Sequence, residues 1–192
     1  DAGFLLGLTA TPERVDGRNV MELCDWNVAY EVRLPEAIRR GHALDGEGLY
    51  WIEEPTRADD YTGNAKIAEA LRTSVQIGEN FWCAADMAKA IAAGSMDYAM
   101  PDLTKIGGVN AWMRCAALAE AHGIPLSTHL FPETSAHLMT ATPTAHYLEW
   151  VDWANPVLAE PYKVEKGHIV IPDRPGTGMA WNEPAIARLM AA

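Results

Sequence analysis

Trp51-Ile52-Glu53-Glu54-Pro55 opens the series of residues that decides the fold. Glu53 is followed 26 residues on by Glu79 in Gly78-Glu79-Asn80, 23 further by Asp102 after Pro101, 27 further by His129 and 20 further by Glu149. Each of these ionisable residues ends a short, largely apolar run: Leu49 to Glu53, Val75 to Glu79, Tyr98 to Asp102, Pro125 to His129 and Ala145 to Glu149. Runs of this length read as buried parallel strands, and the interval between them accommodates one strand plus one helix. The spacing predicts an α/β fold: a partial or incomplete (β/α) TIM-type barrel with parallel strands. In such a fold, distant sequence positions meet at the C-terminal ends of the strands.

Between the runs lie helix candidates at Tyr61 to Arg72, Ala84 to Ala93 and Asn110 to His122, the last with apolar Met113, Ala116, Ala117 and Ala121 at helical spacing. Gly94 and Gly123 follow two of them, where a helix end favours a residue that tolerates positive φ. Gly107-Gly108 suits a tight turn before the third. After Glu149 the rhythm gives way to Pro-rich and Gly-rich turns, read as strands and loops closing with a short helix near Pro184 to Met190. The first 44 residues do not follow the rhythm. There Phe4 to Leu8 and Tyr30 to Leu34 suit strands, and Pro35 opens a helix over Glu36 to His42.

A chain of 192 residues with 49% hydrophobic content can bury a core and suits one domain. A complete (β/α) barrel takes about 250 residues, so this chain is short for one. The net charge of -11, from 15 basic and 26 acidic residues, argues against a nucleic-acid partner. Clustered carboxylates for a divalent cation would account for part of the acid excess; a solvated acidic surface would look the same. Cys24, Cys83 and Cys115 are scattered and form no C-x-x-C pair, which fits neither a disulfide framework nor a zinc site and suggests a reducing cytoplasm. The apolar run at Phe4 to Leu8 is too short for a membrane span, so no membrane partner is expected.

From about Gly48 to the end the sequence closely resembles the barrel domain of mandelate racemase, in the enolase superfamily. The resemblance is carried by WIEEP at 51–55, GEN at 78–80, MPDLTKIGGV at 100–109, STHLF at 127–131, SAHLMTATPTAHYLEW at 135–150 and IPDRPGTG at 171–178. It implies a Mg²⁺-dependent enzyme that removes the proton α to the carboxylate of a small carboxylic acid and passes through an enediolate. On that reading Glu53 and Glu79 are metal ligands, as oxygen donors suited to a hard cation; a solvated strand end is the plainer alternative. Glu54 should point away from Glu53 and act structurally. His129 is the base candidate, because imidazole titrates near neutral pH and sits here at a strand end. Asp102 would fix its tautomer from the neighbouring strand. Glu149 would be the acid that donates a hydrogen bond to the substrate carboxylate, and Lys105 would act electrostatically. His137 and His146 lie within the motifs without a demand for chemistry, and Trp82 and Phe131 could line a substrate pocket.

The resemblance leads to a racemase of 2-hydroxy acids. The alternatives are an acid-sugar dehydratase of the same superfamily, or a catalytically incomplete chimeric or truncated barrel fragment. Neither a Lys-x-Lys base strand nor a capping domain matches. Five strands leave an open edge, which would favour a homo-oligomer. LGLTATPERVDG at 6–17 and AYEVRLPEAIRRG at 29–41 resemble a superfamily 2 helicase segment, yet no phosphate-binding loop accompanies them. This divides the chain into a helicase-like segment at 1–47 and the barrel portion at 48–192. Asp25 in Asp25-Trp26-Asn27 would be a third metal carboxylate, or a turn or helix residue of the helicase-like segment.

Overall fold

The computed structural model describes residues 34–191, which fall into two compact units. The described part of the first unit runs to Gly78 and includes Ala88–Tyr98; the second comprises Glu79–Met87 and the chain from Ala99 onward. Asp25, Cys24 and the strand expected at Phe4 to Leu8 lie outside the described residues.

In the first unit, helix α1 (Leu34–Leu44) is longer than the Glu36 to His42 expected, and it takes up Leu34 from the strand expected before it. Gly41 lies so close to Leu71 that a Cβ here would overlap the leucine side chain. Strand β1 (Trp51–Glu53) pairs in parallel with β2 (Ser74–Ile77), with Glu53 opposite Gln76. Between them α2 (Tyr61–Ala70) starts at Asp60, whose Oδ1 accepts from the Gly63 amide at 2.8 Å. The helix ends before the expected Arg72 for a local reason. The Asp45 carboxylate accepts the amides of Arg72 at 3.1 Å and Thr73 at 2.9 Å, which draws the chain into the extended form that starts β2. Val75 and Ile77 of β2 are fully buried. The Val75 amide donates to Asp97 Oδ2 at 2.7 Å, tying β2 to the approach of β3 (Tyr98–Ala99). The sheet order is β1-β2-β3. Helix α3 (Ala84–Ala93) has the limits expected from sequence, with Gly94 just beyond at φ 67°.

In the second unit the parallel pattern continues as single rungs rather than full strands. Ala99 bridges Leu126, Leu126 bridges Ala145, and Asp102 bridges His129. The strands expected at Pro125 to His129 and Ala145 to Glu149 are therefore extended lines joined at isolated points. Pro125 has no amide to donate, so Leu126 carries the pairing on one side, giving its N–H to Thr144 O at 2.8 Å and taking that of His146 at 2.9 Å. Among the described residues the parallel strands do not close into a barrel, in keeping with a partial one.

Helix α4 (Val109–His122) begins at Gly108, with φ 80°, and ends at Gly123 in the left-handed region. Its buried face is Trp112, Cys115, Ala116 and Ala119, whereas Met113 of the expected apolar set is 40% exposed. The largest apolar side chain sets the face, and positions at i+3, i+4 and i+7 from Trp112 follow it. Helix α5 (Pro132–Thr140) was not expected from the sequence; Pro132 stands at its first turn and Phe131 precedes it. Trp112 Nε1 donates to Thr142 Oγ1 at 3.0 Å, and that hydroxyl donates in turn to Leu138 O of α5 at 2.8 Å. A short 3₁₀ turn (Asn155–Val157), the antiparallel pair β4 (Lys163–Glu165) and β5 (His168–Val170), and α6 (Glu183–Met190) complete the unit. No helix among the described residues is long and apolar enough to cross a membrane.

Candidate active site

The second unit brings Glu79, Lys105, Asp102, His129 and Glu149 into one hydrogen-bonded neighbourhood. Asp102 lies at its base, 1% exposed, just beyond β3. Its Oδ1 accepts from the Thr104 amide at 2.7 Å, the Thr104 hydroxyl at 2.7 Å and the Lys105 amide at 2.8 Å. An Asp that turns the chain back onto its own side chain in this way is a common local motif. Burial pushes the Asp102 carboxyl upward. The hydrogen bonds from Thr104, Lys105 and His129 outweigh that and hold it below the usual carboxylate range.

Asp102 Oδ2 faces His129 Nδ1 at 2.7 Å. An ionised carboxylate can only accept, so Nδ1 carries a proton and donates it to Asp102. The other ring nitrogen, Nε2, lies 3.3 Å from Glu79 Oε2, an ion-pair contact when the ring is doubly protonated. The other Glu79 oxygen, Oε1, lies 3.3 Å from Lys105 Nζ and accepts from Asn80 Nδ2 at 3.1 Å; Asn80 Oδ1 also takes a hydrogen bond from Lys105 Nζ at 3.1 Å. The side chains of Glu79 and Lys105 are 28% and 31% exposed, so the pair faces partly to solvent.

Immediately after His129 the backbone makes an unusual turn, with Leu130 at φ 52° and Phe131 at φ 49°. Two successive non-glycine residues in the left-handed region cost about 1–2 kcal/mol each. Glu149 Oε2 offsets part of this by accepting the Leu130 amide at 2.6 Å. The Glu149 amide donates to Thr128 Oγ1 at 2.9 Å, so strand-end carboxylate and histidine turn hold one another. A proton on the Glu149 carboxyl would therefore sit on Oε1.

Glu53 belongs to the first unit, where it ends β1, is exposed, and receives Gln76 Nε2 at 3.5 Å. Glu54 next to it has φ 38°, so the strand does not run on through it. Trp82 and Phe131, expected at a pocket wall, are 69% and 41% exposed. His146 Nδ1 meets Ser127 Oγ at 3.3 Å and His137 Nε2 meets Thr177 O at 3.1 Å, both away from the dyad's contacts. Three supporting residues were not singled out from sequence: Asn80, Thr104 and Thr128. Asp102-Leu103-Thr104 carried a signal for one of them, because Asp followed two residues later by a hydroxyl is a turn pattern.

For a divalent cation the donor chemistry fits in part. Glu79 presents a partly exposed carboxylate whose oxygens already face nitrogen groups, and Glu53 offers a second exposed one. Among the described residues no group of three or more ligand-type side chains is arranged so that it could hold a metal ion. Magnesium commonly completes its shell with water around one or two carboxylates.

Parallel strands alternating with helices, ionisable residues at strand C-terminal ends and a carboxylate-held histidine are the pattern of a β/α domain of the barrel type. The chain belongs to the enolase C-terminal domain-like family, whose profile matches residues 8–185. That range includes most of the segment that resembles a helicase, and the relatives give the helicase resemblance no support. The chain is 36% identical over 154 residues to the 3,6-anhydro-α-L-galactonate cycloisomerase of Streptomyces coelicolor, covering 80% of this chain and 43% of that protein. It is 34% identical to the L-talarate/galactarate dehydratase of Salmonella typhimurium, covering 78% and 37% respectively. A crystal structure of an enolase from alphaproteobacterium BAL199 with bound magnesium superposes with a TM-score of 0.80 at 47% identity, over 82% of this chain and 43% of that one. The chain thus spans less than half the length of these relatives.

Proposed function

We propose that this chain carries acid–base and metal-ligating machinery of an acid-sugar dehydratase, a lyase of the enolase superfamily. The observation that carries the reading is the line Asp102–His129–Glu79, in which an imidazole held by one carboxylate at Nδ1 brings Nε2 to 3.3 Å from a second that is suited to a metal ion. The cycloisomerase and dehydratase among the relatives support this better than the racemase expected from the sequence. Both act on sugar-derived acids by name.

Glu79 would hold Mg²⁺, and the family resemblance assigns the same role to Glu53. When bound, the ion would draw charge from the substrate carboxylate and so acidify the neighbouring α-C–H. His129 Nε2 takes the α-proton, and ionised Asp102 stabilises the imidazolium through Nδ1–H. Glu149, protonated on Oε1, donates a hydrogen bond to the carboxylate as its charge grows. The imidazolium then gives its proton to the departing β-hydroxyl, which leaves as water, and the resulting enol becomes a 2-keto-3-deoxy acid. Lys105 remains beside Glu79 as a fixed positive charge.

Magnesium-dependent deuterium incorporation at the α-carbon of a panel of aldonic and aldaric acids tests this. His129→Asn should abolish the exchange; undiminished exchange would show that another group is the base. Self-association of the chain, expected from the open strand count, would be read by sedimentation at several concentrations.

A further inference from the structure

We infer that Lys105 is a resident counter-cation of Glu79 whose charge weakens the grip of this carboxylate on a divalent metal ion. The inference rests on the reading of Glu79 as a metal-binding carboxylate. It begins from how firmly Lys105 is placed. Its amide is held by Asp102 Oδ1 at 2.8 Å, which fixes where the side chain departs. Its ammonium group then reaches both Glu79 Oε1, at 3.3 Å, and Asn80 Oδ1, at 3.1 Å. Asn80 makes the arrangement specific. Its Nδ2 donates to the same Glu79 oxygen at 3.1 Å, so the carboxamide bridges the carboxylate and the lysine.

The consequence is electrostatic. A cation arriving at Glu79 meets a carboxylate already partly neutralised and a positive charge one contact away. The attraction lost and the repulsion gained both lower affinity. Because both side chains are partly exposed, water and salt screen the effect to a modest factor rather than a prohibitive one. The arrangement also has a benefit for an ion-free protein: Glu79 keeps its position between lysine and histidine instead of seeking new partners. Asn80, which touches both members, acts as a positioning residue.

Calorimetric titration with MgCl₂, and titration with Mn²⁺ followed by electron paramagnetic resonance, read this without any substrate. Lys105→Met should bind Mg²⁺ about three- to tenfold more tightly than the wild type at low salt, with the gap closing as KCl rises to about 0.5 M. Lys105→Arg keeps the charge and should stay close to wild type. Equal or weaker binding by Lys105→Met, or a tightening that Arg reproduces, would overturn the inference. Glu79→Gln separates it from the reading beneath it. If Glu79→Gln lowers affinity while Lys105→Met leaves it unchanged, the inference fails and the metal reading stands; if Glu79→Gln binds as well as wild type, both fail.

Discussion

Asp102 shows how much one side chain can organise. Three donors from the next turn hold one carboxylate oxygen, and the other oxygen orients His129. Replacing Asp102 with Asn would leave the shape nearly intact but offer the ring an amide whose nitrogen donates. The histidine could then hold its proton on Nε2, the wrong nitrogen for a base. Exchange of the substrate α-proton should fall by about 10²–10⁴-fold, while thermal stability drops far less than catalysis. Equal losses in both would mean that Asp102 serves the fold alone. The dyad was legible in the sequence because Asp102 and His129 end successive apolar runs, and parallel neighbours bring such ends together. The Lys105–Glu79–Asn80 contacts were not legible, because they depend on side-chain directions that no sequence period encodes.

Elements are held by a few polar contacts whose removal has a definite sign. Asp45, after α1, accepts two amides and the Thr73 hydroxyl at the start of β2. The Thr73 amide foremost holds its pKa down from 3.8 to about 2. A lowered carboxylate pKa stabilises the fold above the ordinary value, and that contribution fades as pH falls from about 4 toward 2. Melting temperatures across that range should decline more steeply for wild type than for Asp45→Asn, and the two curves should converge at the acid end. Parallel curves would remove Asp45 from the account. In the second unit, Trp112→Ala empties a fully buried site between α4 and α5 and should cost about 3–5 kcal/mol in denaturant unfolding. Trp112→Phe keeps most of the packing, gives up only the bond to Thr142, and should cost about 1 kcal/mol.

The elements also show where sequence reading succeeds and stops. Helix α3 has the limits expected, because its alanine-rich run is closed by Gly94. Helix α5 was overlooked: it follows two residues in the left-handed region, which sequence does not announce, although Pro132 and Glu133 in its first turn are ordinary opening signals. The last two expected strands proved to be single rungs, since an apolar run specifies burial and not a full hydrogen-bonded ladder.

On the scale of the whole molecule, the family match from residue 8 to 185 and coverage of less than half of the related proteins belong together. The motifs that carry the family resemblance are present in order. That order is why the family was legible from the sequence, and why a dehydratase could not be told from a racemase: the same motifs suit either reading.

The tryptophans of the second unit occupy very uneven surroundings. Trp112 is fully buried, whereas Trp153, Trp82 and Trp181 are 72%, 69% and 56% exposed. Emission should therefore contain a blue component from the interior and a red one from the surface, and iodide should quench the red part first. Trp82 stands three residues after Glu79, so the red component offers a label-free signal for events at that carboxylate, while the blue one follows the packing of α4 on α5.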